Sequence, residues 1–302
     1  MNISHNHSHE VGNYNRPFAI GITLNVIFVV VEASYGVLAE SLALIADAGH
    51  NLSDVLSLSL AWGASLLASK NATGRRTYGF RRVTILASAI SAILLLIALG
   101  GIAWEAIGRF ADPKPVRSLV VITVAGIGVV INTITALLFK SGQKHDLNIR
   151  AAFLHMAADA GISLGVVVAG VAIMIAGWLW LDPVISLVIV VVVLVGTWSL
   201  LRDSINLSID AVPQGIDMDR LTNYLKGIEC VCEIHDLHVW ALSTTETALT
   251  VHLVTTMDLI DNVFQREVQQ HLHDNFKIEH STIQVEKDDS ENSCMLNRPE
   301  CI

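Results

Sequence analysis

Residues 41–67 read SLALIADAGHNLSDVLSLSLAWGASLL, from Ser41 to Leu67. As a helix rising 1.5 Å per residue, this stretch is long enough to cross roughly 30 Å of hydrocarbon. Yet Asp47, His50 and Asp54 interrupt it. His50 and Asp54, four apart, share one helix face, so an imidazole and a carboxylate stand side by side, with Asp47 one turn earlier. A carboxylate at the centre of a membrane helix costs about 2.5–3.5 kcal/mol even on the mild insertion scale. The same spacing recurs at His155 and Asp159, inside another apolar segment. Two imidazole nitrogens and two carboxylate oxygens make the four-ligand tetrahedral set that Zn²⁺ prefers, and a bound cation offsets the cost of burial. Two unrelated helix–helix polar contacts would not repeat one spacing.

Composition agrees. The 302 residues are 52% hydrophobic and 16% charged, too apolar for an ordinary soluble domain. The net charge of -9 and the lack of a basic patch with interleaved aromatics exclude a nucleic-acid partner. Cys230, Cys232, Cys294 and Cys301 form no secreted disulfide framework, and reduced cytosolic thiols are expected. The N-terminus lacks the pattern of a cleaved signal peptide.

Six segments are long enough to span a bilayer, near 17–38, 41–67, 84–107, 119–139, 151–177 and 183–201. Lys70, Arg75, Arg76, Arg81, Arg82, Lys140, Lys144 and Arg150 lie in the second-to-third and fourth-to-fifth loops, and Arg16 and Arg202 flank the bundle on the same side. Only Arg109, Lys114 and Arg117 lie opposite. This bias predicts that a multi-pass protein embedded in lipid has both termini in the cytoplasm; the cell's inner (plasma) membrane is the expected location.

After Arg202 the pattern becomes soluble. Helical spacing covers 217–227 and 259–276, and strand alternation covers 233–242, 247–255 and 281–285. The order αββαβ makes a small α+β, ferredoxin-like sandwich. The expected organisation is a histidine-containing tail at 1–15, a six-helix α-helical transmembrane bundle at 16–203, a cytoplasmic domain at 204–287, and a disordered tail at 288–302.

Several motifs resemble the cation diffusion facilitator family, in its bacterial zinc-exporting branch. Residues 41–54 resemble its second helix and Phe153-Leu-His155-Met-Ala-Ala-Asp159 its fifth; Tyr78-Gly-Phe-Arg-Arg82 matches the loop before the third, and His235-Asp-Leu-His-Val-Trp240 the first cytoplasmic strand. The resemblance runs from about Arg16 to Glu286. It implies a homodimer that exports cytoplasmic Zn²⁺ in exchange for H⁺; the mixed nitrogen and oxygen donors suit Cd²⁺ and Co²⁺ as well. It further implies that Arg82 and Asp210 form a charge interlock, and that His235, His252 and Glu286 bind zinc as a regulatory ligand in the cytoplasmic domain. One departure stands out. Some relatives carry a second metal site in the loop between helices two and three; here residues 69–82 hold no His, Asp, Glu or Cys, so that site is expected to be absent.

The remaining polar residues have weaker readings. Asp47 reads as an outer-shell or gating group beside the ligands. Asn132 reads as helix packing, and Glu32 as either packing or path. A strand period of two puts His238 off the face of His235, as a structural histidine. His271, His273 and His280 read as exposed. His5, His7 and His9 suggest loose metal capture, with a solvated tail as the alternative; Cys294 and Cys301 stand wider apart than the paired tail cysteines of some relatives.

Two rivals remain. An intramembrane metalloenzyme needs a vacant coordination position and a general base, and four closed ligands with no His-Glu-x-x-His supply neither. A membrane-anchored metal sensor would not need six helices around a buried site.

Overall fold

The computed structural model describes residues 15–68, 72–139, 147–256 and 262–287. Contacts divide the chain into two compact units: the segment up to Ser59 with Ser91–Ser199, and Leu60–Ile90 with the segment from Leu200 onward.

Six long helices come first: α1 Asn15–Leu38, α2 Leu42–Ala68, α3 Val83–Ala111, α4 Ser118–Phe139, α5 Leu147–Ala176 and α6 Leu181–Ser208. Each covers one of the six apolar segments. Among the described residues, four stretches are long and apolar enough to cross a membrane, Val83–Ala111, Ser118–Leu137, Met156–Ala176 and Leu181–Ser208; Val26–Leu38 is a shorter apolar run. α6 continues beyond the expected end near 201, because Ser204 and Ser208 satisfy their hydroxyls within the helical region: Ser204 donates to Ser88 at 3.0 Å and Ser208 to the Ser204 carbonyl at 2.7 Å.

In the first unit, Leu44, Leu95, Leu99, Val121, Val124, Val166 and Ile189 form a buried cluster. Ile97, Trp104, Ile175 and Val195 point outward, a distribution suited to a lipid surround. Lipid supplies no hydrophobic drive between helices, so close packing decides. Gly128 admits the Phe28 ring where a Cβ would stand 2.9 Å from Cζ, bringing α1 against α4. The α5–α6 turn is set by Gly177 at φ +67, whose N–H bonds the Ile173 carbonyl at 2.9 Å, a left-handed helix stop. Trp178 and Trp180 stack there, ring centroids 6.2 Å apart.

In the second unit the order is α7 Met218–Lys226, β1 Val231–Ala241, β2 Thr247–Thr255, α8 Asn262–Phe276 and β3 Ile278–Lys287, the expected αββαβ. Asp217 caps α7 by accepting from the Arg220 N–H at 3.0 Å. β1 and β2 pair antiparallel, and β3 lies parallel to β2, reached through α8 as parallel strands require. Leu221 and Leu225 from α7 and Val268, Leu272 and Phe276 from α8 bury against Val239, Leu249, Val251 and Leu253 of the sheet. β3 is longer than the expected 281–285, because its pairing with β2 runs from Ile278 to Lys287.

Candidate metal centres

The first centre lies between α2 and α5. The helical spacing of His50 and Asp54 holds on α2, and that of His155 and Asp159 on α5. His50 Nε2 stands 2.9 Å from Asp159 Oδ1, and the Asp159 side chain is only 3% exposed. Two members of the expected set are thus in contact across the helices. The side chains of Asp54 and His155 lie outside the described residues. A neutral imidazole and an ionised carboxylate in contact offer one nitrogen and one oxygen donor, the atom types that a borderline divalent cation takes.

Around this pair the polar groups continue. Asp47 is fully buried and accepts from Ser163 Oγ of α5 at 2.8 Å. Glu32 of α1, also fully buried, accepts from Asn51 Nδ2 at 2.8 Å. Asp47 and Glu32 therefore tie α5 and α1 to the face of α2 that carries His50. Ser163 gave no signal in the sequence, since a lone serine among apolar residues usually bonds its own helix. Asn132 is buried on α4, and its Nδ2 has no hydrogen-bond partner among the described residues.

The second centre is in the sheet. His235 on β1 and His252 on β2 are register partners, and Glu286 is the last residue but one of β3. Their ligand atoms all lie within 4.8 Å of one another. His252 Nδ1 is 2.7 Å from Glu286 Oε1, and His235 Nε2 is 3.3 Å from Oε2. Tetrahedral zinc with bonds near 2.0 Å separates its ligands by about 3.3 Å, so two imidazoles and one carboxylate fit such an ion and leave a fourth position open. His235 Nδ1 is buried without a partner among the described residues.

One reading is corrected here. β1 bulges between His235 and His238, so three steps along β1 match two along β2: His235 faces His252 and His238 faces Thr250. His252 and Thr250 share a face, so His238 does too, against the simple period of two. Its Nε2 meets Asp236 Oδ1 at 3.0 Å. Asp236 was not singled out by the sequence, because a bulge is a register property. His271 is not free on the surface either; it stacks on Tyr224 at 3.8 Å between centroids. His280 meets the Tyr78 ring edge-on at 5.5 Å. His273 is about half exposed and lies 3.0 Å from Asp274, whose hydrogen bond, with the Glu279 charge, raises the imidazole pKa above its ordinary value.

In the same unit Arg82 Nη2 donates to Asp210 Oδ1 at 2.5 Å. Arg81 pairs with Glu246 at 3.2 Å, and the Thr244 N–H donates to Thr84 Oγ1 at 3.1 Å. Cys230 and Cys232 are free thiols at the start of β1. His5, His7, His9, Cys294 and Cys301 lie outside the described residues.

Residues 18–207 match the cation efflux transmembrane domain, and residues 213–288 the cytoplasmic domain of cation efflux proteins. The chain is 36% identical over 287 residues to the metal cation efflux system protein CzcD of Cupriavidus metallidurans, covering 95% of this chain and 90% of that protein. It is 35% identical over 286 residues to a cadmium, cobalt and zinc/H⁺-K⁺ antiporter of Bacillus subtilis, covering 93% and 91%. To the zinc transporter ZitB of Escherichia coli it is 34% identical over 293 residues, covering 94% and 93%.

Proposed function

The chain belongs to the cation efflux, or cation diffusion facilitator, family of membrane transporters, and we propose that it exports Zn²⁺ from the cytoplasm in exchange for H⁺. The family is one of transporters, not enzymes. The observation that carries the site is the contact between His50 and Asp159 across two helices. Asp54 and His155 complete the set by spacing, one turn from these partners. Two ionised carboxylates neutralise the ion, and two imidazoles supply the nitrogen donors that favour Zn²⁺, Cd²⁺ and Co²⁺ over Mg²⁺. Protons arriving from the far side compete for the same ligands and release the metal. All six helices span the inner (plasma) membrane in this reading, with both termini cytoplasmic, as the loop arginines and lysines direct. The functional form is a homodimer.

His235, His252 and Glu286 bind a regulatory zinc on the cytoplasmic side, and Arg82 with Asp210 locks the loop before α3 to the end of α6. The deciding experiment reconstitutes the protein in liposomes with a pH gradient and records Zn²⁺, Cd²⁺, Co²⁺ and Mn²⁺ flux together with proton counterflow. Zinc flux with opposed proton movement is expected; no metal flux under any gradient would refute the proposal.

A further inference from the structure

Asp236 sits at the β1 bulge in the left-handed region, φ +51, a conformation that Asp and Asn visit more readily than other side chains. The bulge turns its carboxylate onto the face that His235 and His252 share. Oδ1 lies 3.0 Å from His238 Nε2, and Oδ2 lies 3.5 Å from His252 Nε2. His252 therefore stands between two carboxylates, with Nδ1 against Glu286 at 2.7 Å and Nε2 toward Asp236. Its ring is buried. A cation gathered by His235 Nε2, His252 and Glu286 must meet His252 at Nδ1, the nitrogen turned to Glu286.

We propose that Asp236 is the positioning residue of this centre: its carboxylate accepts the Nε2–H of His252, which keeps the Nδ1 lone pair aimed at a borderline divalent cation such as Zn²⁺ or Co²⁺. This rests on reading His235, His252 and Glu286 as a metal site. A ligating histidine almost always donates its other N–H to a carboxylate or carbonyl. His235 has no such support among the described residues, where its Nδ1 is buried without a partner; orientation of the pair falls to His252. Through His238, bonded to the other oxygen, the Asp236 carboxylate is itself held in place. That arrangement explains why a strand contains a residue at positive φ here: an unbulged β1 would point residue 236 to the opposite face.

The test uses the full-length protein in detergent, with Asp54→Ala and Asp159→Ala removing the transport ligands. Zn²⁺ affinity is read by competition with a chelating dye, taking the binding step that His235→Ala abolishes. Asp236→Asn keeps the size and the tolerance for positive φ and removes only the acceptor charge. It is expected to weaken that step by about 10–100-fold, while the visible Co²⁺ spectrum of the site keeps its shape because the ligands are unchanged. Asp236→Gly, which relaxes the backbone, is expected to show the same loss. Unchanged affinity in both variants overturns the positioning role while leaving the site intact. A lost or altered Co²⁺ spectrum at saturating metal overturns it too, by making Asp236 a ligand. If the parent shows no step that His235→Ala removes, the site reading fails first and this inference with it.

Discussion

Ser41 Oγ donates to Asp182 Oδ1 at 2.5 Å across 141 positions of sequence. The same carboxylate accepts the Leu42 N–H at 2.8 Å and the Ala43 N–H at 3.3 Å, and Arg109 Nη1 stands 3.4 Å from it. One side chain at the start of α6 thus satisfies two of the orphan N–H groups opening α2 and complements its positive end. Arg109 also donates to the Glu40 carbonyl, holding the α1–α2 turn where Glu40 takes φ +54. Asp182 and Arg109 are both buried.

Asp182→Ala should therefore destabilise the protein by about 3–5 kcal/mol, since it removes a cap and takes from the buried Arg109 its one buried carboxylate, leaving the Glu40 carbonyl and the half-exposed Glu105 as its partners. Adding Arg109→Met should recover part of the loss, because it takes away a buried charge that has lost its buried partner. Thermal unfolding in detergent measures both. An Asp182→Ala protein as stable as wild type would show that the cluster contributes nothing.

The transport ligands should act as a unit. With His50 and Asp159 in contact at 2.9 Å, Asp159→Ala leaves the imidazole without its carboxylate. Zinc flux should fall more than about 100-fold, beyond the 10–100-fold cost of outer-shell changes. The protein should still fold, dimerise and bind zinc in its cytoplasmic domain. Asp54→Ala should behave alike on spacing grounds. Near-normal flux in either would remove the central reading.

Helix-level features were legible because they are local. The interval between His50 and Asp54 is one helical turn, and it recurs at His155 and Asp159, so periodicity alone put each pair on one face. The αββαβ order followed from alternation and helical spacing, and Thr247–Thr255 has the expected bounds. What escaped depends on register or on distant partners. The left-handed Asp236 shifted His238 to the other face, and no pattern in β1 announces a bulge. Asp182 carried no signal of its own, because its partners Ser41 and Leu42 are remote in sequence. Ser163 was invisible for the same reason.

His50→Asp should broaden selectivity. Replacing a borderline nitrogen donor with a hard oxygen shifts the site toward metals that favour carboxylates. Cd²⁺ or Mn²⁺ flux relative to Zn²⁺ should rise in proteoliposomes. A metal profile identical to wild type would mean that His50 does not touch the ion during transport.

Arg82 and Asp210 meet at 2.5 Å, yet their side chains are 53% and 51% exposed. Such a pair contributes at most about 1 kcal/mol to stability, so its role must be tested on transport and not on unfolding. Asp210 takes φ +61 just after α6, a conformation Asn accepts as readily as Asp. Asp210→Asn is therefore the clean single change, removing charge without straining the backbone. It should slow zinc flux while thermal stability stays within about 0.5 kcal/mol, the usual range for a surface substitution. Arg82→Asp should be worse, since it sets two carboxylates against each other. Adding Asp210→Arg should restore part of the flux, though not all, because arginine at positive φ costs roughly 1 kcal/mol or more. A double variant no better than Arg82→Asp alone would reduce Arg82 to a loop cation that fixes orientation in the bilayer.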